Sequence, residues 1–248
     1  MTLLVTGGTK GIGLAIAKRL ASRHRRIVLA YHSDDAAAEA AIAEVSAAGG
    51  DACAIKADVG TLEGSAALIA GIEGQAHGLT HIVHSAAMIY PTTLLGADLA
   101  KFRQAVETNG LSLLYLVHAA QHLLSRGSGV VFITSMGARI PSPNYGALGV
   151  GKALAEAIVR YLVAELAPRG VRINGVAPGL VHTTSVASML GSEEAATAAV
   201  ERAARSNPSG RPSRDSDYAS LVEYLLSPEA DFIQGQVIAA TGGTGVIG

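Results

Sequence analysis

What most constrains this chain is an early glycine run placed where the apolar period changes. Leu3 to Thr6 reads as a short buried strand and Ile12 to Ser22 as a helix, and between them runs Thr6-Gly7-Gly8-Thr9-Lys10-Gly11-Ile12-Gly13. A strand that turns through glycines straight into a helix collects backbone N–H groups and the positive helix end at one spot, which suits a phosphate. Gly7 permits the tight turn, Gly11 and Gly13 permit close approach, and Thr9, Lys10 and Ile12 complete the loop.

The same alternation continues to the far end. Strand-like runs recur at Ile27 to Tyr31, Ala52 to Lys56, His81 to Ser85, Val130 to Thr134, Arg172 to Val176 and Val237 to Ala240. Helical periods fill Asp35 to Ala48, Thr61 to Glu73, Leu99 to Ser125, Tyr145 to Leu166 and Tyr218 to Leu226. Such βαβ repetition predicts an α/β fold: a single doubly wound Rossmann domain over residues 1–248, with a seven-stranded parallel sheet in the order 3-2-1-4-5-6-7. A chain that is 49% apolar and only 16% charged can fill the core this requires. Thr183 to Arg214 departs from the pattern, with a polar helix at Glu193 to Arg205 and then Asn207-Pro208-Ser209-Gly210. It is either a substrate lid or a surface excursion.

A net charge of −1 offers no footprint for nucleic acid or an anionic membrane. Cys53 is the only cysteine, so no intrachain disulfide or cysteine-rich metal site is expected, and no metal is assigned. The most apolar stretch, Leu111 to Leu124, is shorter than the roughly 20 residues of a membrane span and contains His118, Gln121 and His122. The strand pattern from Thr2 leaves no room for a signal peptide, so the expected compartment is the cytoplasm.

A free ribose 2′-hydroxyl is usually met by an acid at the end of the second strand. Here that strand ends Tyr31-His32-Ser33, with no carboxylate placed to repel a 2′-phosphate and with Lys10, His32 and Ser33 as donors. The expected cofactor is therefore NADPH rather than NADH. Asp58-Val59 follows the third strand, either holding the adenine edge or capping the next helix.

Past the fifth strand come Thr134 and Ser135, a proline-punctuated loop, and Asn144-Tyr145-Gly146-Ala147-Leu148-Gly149-Val150-Gly151-Lys152. In a helix, seven residues make about 700°, so Tyr145 and Lys152 share a face. The phenol supplies a proton or hydrogen bond, and the cation beside it assists and can hold the nicotinamide ribose. Ser135 either orients the substrate carbonyl or orders the loop. His84 and His182, near the mouth, read as satisfied loop residues.

These motifs resemble the short-chain dehydrogenase/reductase family along the whole chain. Thr6-Gly7-x-x-x-Gly11-x-Gly13, Asp58-Val59, Asn109, Ser135, Lys152, Pro178-Gly179 followed by Thr183, Gly235-Gln236 and Thr241-Gly242-Gly243 carry the likeness. It implies that Ser85, Ala86, Asn109, Pro178, Gly179 and Thr183 also line the cofactor. The family's usual tyrosine lies four residues before the lysine, a position held here by Leu148. Tyr145 gives Tyr-x6-Lys instead, the spacing of enoyl-acyl-carrier-protein reductases, and Asn144 to Leu166 is similar to their type III branch. The usual Asn-Asn-Ala-Gly reads His84-Ser85-Ala86-Ala87, and Pro141 stands where that branch has an aromatic residue.

The resemblance implies reduction of an enoyl thioester, on acyl carrier protein or coenzyme A, in fatty-acid or polyketide-type biosynthesis, by a homotetramer or homodimer. A carbonyl or imine reductase of specialised metabolism and a nucleotide-binding pseudoenzyme are the competing readings. Geometry gives the spacing its own meaning. In carbonyl reduction the oxygen that gains charge sits on the carbon taking the hydride, whereas in conjugate reduction it lies three bonds farther along. The donor must move with it, and three helical residues shift its origin by about 4.5 Å.

Overall fold

The computed structural model describes residues 1–24, 26–74 and 78–245. Seven parallel strands form one sheet: β1 (Thr2–Thr6), β2 (Arg26–Tyr31), β3 (Ala52–Lys56), β4 (Leu79–His84), β5 (Gly129–Ile133), β6 (Arg172–Pro178) and β7 (Val237–Ala240). Their order is β3-β2-β1-β4-β5-β6-β7, as the alternation predicts.

Side chains of a strand alternate between faces, and helices cover both faces of a parallel sheet. Leu4, Val28, Ile82, Val130 and Ile173 point to one layer, packed by Leu68 and Ile72 of α3 (Leu62–Glu73), Leu113 and Leu116 of α5 (Ser112–Ala120), and Val159 and Leu162 of α6 (Gly146–Leu166). Leu3, Val5, Ile27, Leu29, Val83 and Val131 point to the other. There Ile16 and Leu20 of α1 (Gly11–Leu20), Val45 of α2 (Asp35–Ala47), and Tyr218 and Val222 of α9 (Asp215–Leu226) close over them. The strand sequence reverses direction between β1 and β4, so a crevice opens at the carboxyl ends of those strands.

The helix expected over Leu99 to Ser125 is broken. It runs as α4 (Leu99–Val106), a π-turn (Glu107–Leu111) and α5, which ends at Ala120. Packing explains the break: a Cβ on Gly110 would lie 2.8 Å from the Gly151 oxygen, so this turn presses directly on α6. A single π-turn widens the helix and re-aims the residues it carries, here Asn109. The excursion after β6 forms two helices, α7 (Thr184–Leu190) and α8 (Glu193–Ser206), capped by Thr183 and Ser192. Only the second was expected. Among the described residues no helix is long and apolar enough to cross a membrane.

Candidate active site

The glycine loop is built around missing side chains. Gly7 sits at φ +60°, and a Cβ there would lie 2.9 Å from Ala86 Cα; a Cβ on Gly13 would lie 2.2 Å from the Gly7 oxygen. The loop therefore closes flat onto the end of β4. Lys10 stands at the N-cap of α1 but its side chain makes no cap bond, and no acid occupies the first turn. The N–H groups and positive end of α1 are thus unneutralised by the chain itself, which fits a bound phosphate. Thr183, at the start of α7, lies over Gly11, 3.3 Å from where a Cβ would be.

One expectation about the ribose end needs correction. A carboxylate is close: Asp34, three residues beyond Tyr31, forms an ion pair with Lys10. Lys10 is long enough to reach back across the loop, and Asp34 is fixed because its other oxygen caps α2 at the Ala37 N–H, 2.9 Å away. His32 and Ser33 are exposed beside them, with His32 Nε2 3.8 Å from Asp58. Asp58 is not the cap of α3. That cap is Thr61, while Asp58 turns onto the Gly60 N–H at 2.9 Å. Val59 is buried in the core.

The catalytic candidates converge at the end of β5. Tyr145 is the N-cap residue of α6 rather than part of its first turn, and its hydroxyl donates to Ser135 Oγ at 3.0 Å. Ser135 Oγ also accepts the Gly137 N–H at 3.1 Å. Two bonds accepted leave the Ser135 hydrogen free to be donated elsewhere. Burial raises the Tyr145 pKa, only partly opposed by the Ser135 bond, so the phenol is a donor at neutral pH. Lys152 is fully buried. Its Nζ donates to the Ile133 oxygen at 2.7 Å and lies 4.4 Å from the Phe132 ring centroid, and burial lowers its pKa to about 7. Leu148 is 5% exposed and packed inward.

Behind these groups lies a chain of hydrogen bonds that sequence reasoning missed. His84 is not a loop residue; it ends β4, is fully buried, and its pKa falls to about 3, chiefly through burial and then the charge of Lys152. Thr6 Oγ1 accepts the Ser85 and Ala86 N–H groups at 3.2 and 3.3 Å. Its own hydrogen then goes to His84 Nδ1 at 2.7 Å, and Nε2–H donates to Ser112 Oγ at 2.7 Å. Ser112 in turn donates to the Thr108 oxygen in the π-turn at 2.6 Å. That turn holds Asn109, whose amide bonds both the N–H and the oxygen of Met88, at 3.0 and 2.9 Å. Where the family resemblance implies an asparagine, the two ring nitrogens of His84 span both hydroxyls.

Pro178 ends β6, and the Gly179 N–H donates to the Ala240 oxygen at 2.9 Å, tying the far wall of the crevice to β7. His182 is the satisfied loop residue expected, 3.4 Å from Glu193 and 3.2 Å from Thr197.

Residues 7–245 match the family model described as enoyl-(acyl carrier protein) reductase. The chain is 33% identical over 242 residues to an uncharacterized oxidoreductase of Methylorubrum extorquens, covering 97% of this chain and 96% of the other. It is 30% identical to 1-cyclohexenylcarbonyl-CoA reductase of Streptomyces collinus, with 98% and 86% covered. It is 28% identical to 3-oxoacyl-[acyl-carrier-protein] reductase of Staphylococcus aureus, with 97% and 96% covered. Among solved structures, a dehydrogenase/reductase from Sinorhizobium meliloti superposes with a TM-score of 0.88 at 30% identity, covering 99% and 95%. A short-chain dehydrogenase from Burkholderia cenocepacia in complex with NADP does so at 0.86 and 28%, covering 97% and 96%.

Proposed function

This chain is a member of the short-chain dehydrogenase/reductase family, and from that premise we propose that it is an NADPH-dependent reductase of the C2–C3 double bond of an enoyl thioester. The observation that carries the reading is the pairing of Tyr145 with Ser135 while Leu148, at the family's usual tyrosine position, is buried and has no hydroxyl. The Streptomyces relative supports it, since its name describes a thioester conjugated to a ring double bond.

The glycine loop, Lys10 and Lys152 would hold a nicotinamide nucleotide, and the NADP complex of a relative supports that class of cofactor. When bound, it supplies the hydride that C3 of the substrate receives. Negative charge then develops on the thioester oxygen, where the free hydrogen of Ser135 donates and Tyr145 donates once its hydroxyl turns from Ser135 Oγ to the substrate. C2 takes its proton from Tyr145 or water. Lys152, held by Ile133, sets a hydrogen-bond donor beneath the site whose charge burial weakens. The thioester is carried by acyl carrier protein or coenzyme A, residues 183–214 serve as its lid, and the exposed Leu114, Val150 and Tyr161 of α5 and α6 belong to a face between copies in a homodimer or homotetramer.

The test is kcat/KM with NADPH on crotonyl and acetoacetyl thioesters. The expected preference for crotonyl is at least about a hundredfold, roughly 2.7 kcal/mol of transition-state stabilisation. Faster turnover of the acetoacetyl substrate would instead favour a carbonyl reductase, the reading that the Staphylococcus relative supports.

A further inference from the structure

We infer that Gly137 is the positioning residue that makes the early tyrosine usable, because one glycine aligns both oxygen-binding donors. A Cβ built on Gly137 would lie 2.3 Å from Cε1, 2.6 Å from Cδ1 and 3.2 Å from Cζ of Tyr145. The ring of Tyr145 occupies the volume a side chain at 137 would need. Flexible side-chain ends can move out of such a contact, but this ring is fixed at both ends. Its hydroxyl is bonded to Ser135, and its backbone caps α6, with the Gly149 N–H on the Tyr145 oxygen at 2.8 Å.

Conformation does not require glycine here. Gly137 is not among the residues of positive φ, so an alanine backbone would fit, and the position is kept empty for space alone. The same strip is close-packed from behind: a Cβ on Gly149 would lie 2.6 Å from the Gly137 oxygen. Gly137 also sets the second donor, because its N–H holds Ser135 Oγ. Alanine keeps that N–H and removes only the seat of the ring. A tyrosine at position 148 would leave the seat without an occupant, so Gly137 is tied to the Tyr-x6-Lys arrangement and hence to the substrate oxygen it reaches.

The inference rests on Tyr145 being the donor, and a double-mutant cycle separates it from the choice of substrate. Turnover is measured on whichever of crotonyl or acetoacetyl thioester the unmodified protein prefers, so a ketone preference sinks the enoyl reading without touching the cycle. Gly137→Ala should lower kcat by about 10- to 100-fold, the scale of an ångström-level misplacement, and leave the NADPH dissociation constant within about twofold of the unmodified protein's. In a Tyr145→Phe background, with no hydroxyl to misplace, Gly137→Ala should cost several-fold less, only what a shift of Ser135 adds. An equal loss in both backgrounds, or near-normal turnover of Gly137→Ala, overturns the inference. If Gly137→Ala does not fold, Gly137→Ala/Tyr145→Ala empties the contested volume: recovery of NADPH binding supports the inference, and failure of both variants to fold overturns it.

Discussion

Lys10 and Asp34 form an ion pair across the mouth of the glycine loop, so the cation expected to meet a 2′-phosphate already has a carboxylate beside it. Both groups are about half exposed, so the pair itself adds little stability. Its consequence is for cofactor choice. NADPH should bind at least about tenfold more tightly than NADH, about 1.4 kcal/mol. Asp34→Asn should widen that ratio several-fold by releasing Lys10 and removing a like charge, and Lys10→Ala should collapse it. Fluorescence titration of both nucleotides decides the matter: a ratio unmoved in both variants would place the phosphate elsewhere.

Tyr145 and Lys152 should fail differently. Tyr145→Phe removes a donor without disturbing its packing, so kcat should drop by about 10² to 10³ while NADPH affinity holds. Lys152→Ala empties a buried site between Ile133 and Phe132 and should weaken the cofactor as well. Steady-state kinetics beside equilibrium binding resolves the two patterns, and near-full turnover by Tyr145→Phe would remove the pair from the mechanism.

At the amino ends of the strands, His24 and His81 meet edge to face with centroids 5.4 Å apart. Arg172 lies beside them, donating to the oxygens of Leu225 and Leu226, with Asp231 and the N-terminal amine as the other charges nearby. Burial, then the neighbouring His24 and Arg172, lowers the His81 pKa to about 4; His24 is lowered too, mainly by burial. The unfolded chain therefore binds protons here that the folded chain refuses, and stability falls as pH drops from about 6.5 toward 4. His84 acts in the same direction. Lys152, lowered to about 7, adds to the loss near pH 7 and is protonated in both states only well below that value. Urea midpoints at pH 7 and pH 5 should show the loss. His81→Asn, which can still accept the Gly129 N–H, should show less of it; an unchanged pH dependence would move the acid sensitivity away from this pair.

The period of the apolar residues foretold the seven strands because each must feed both faces of the sheet, and the doubly wound arrangement of such repeats supplied their order. Position after the fifth strand pointed to Ser135, which the structure pairs with Tyr145, and spacing pointed to Lys152, which reaches the end of the same strand at Ile133. What escaped was set through space. Nothing in the run Leu99 to Ser125 marks the π-turn, since the demand for it comes from Gly151 on another helix. Asp34 lies beyond the position where an acid is sought, and only the reach of Lys10 makes it relevant. His84 lay inside the expected strand His81 to Ser85 yet was read as a loop residue, because the Thr6 and Ser112 hydroxyls that hold its ring come from elsewhere in the chain. Gly137 has no local signature at all, as its partner ring arrives from eight residues downstream.

The Thr6–His84–Ser112–Thr108 chain makes the floor of the crevice preorganised. The Thr6 hydroxyl holds the Ser85 and Ala86 amides, the Thr6 backbone oxygen holds Ser85 as well, and that hydroxyl is oriented by a ring locked from the other side. Loop and π-turn are thus joined by one continuous chain of hydrogen bonds. Groups already held this way have little freedom left to lose when a nucleotide arrives, which lowers the entropic cost of binding at this floor.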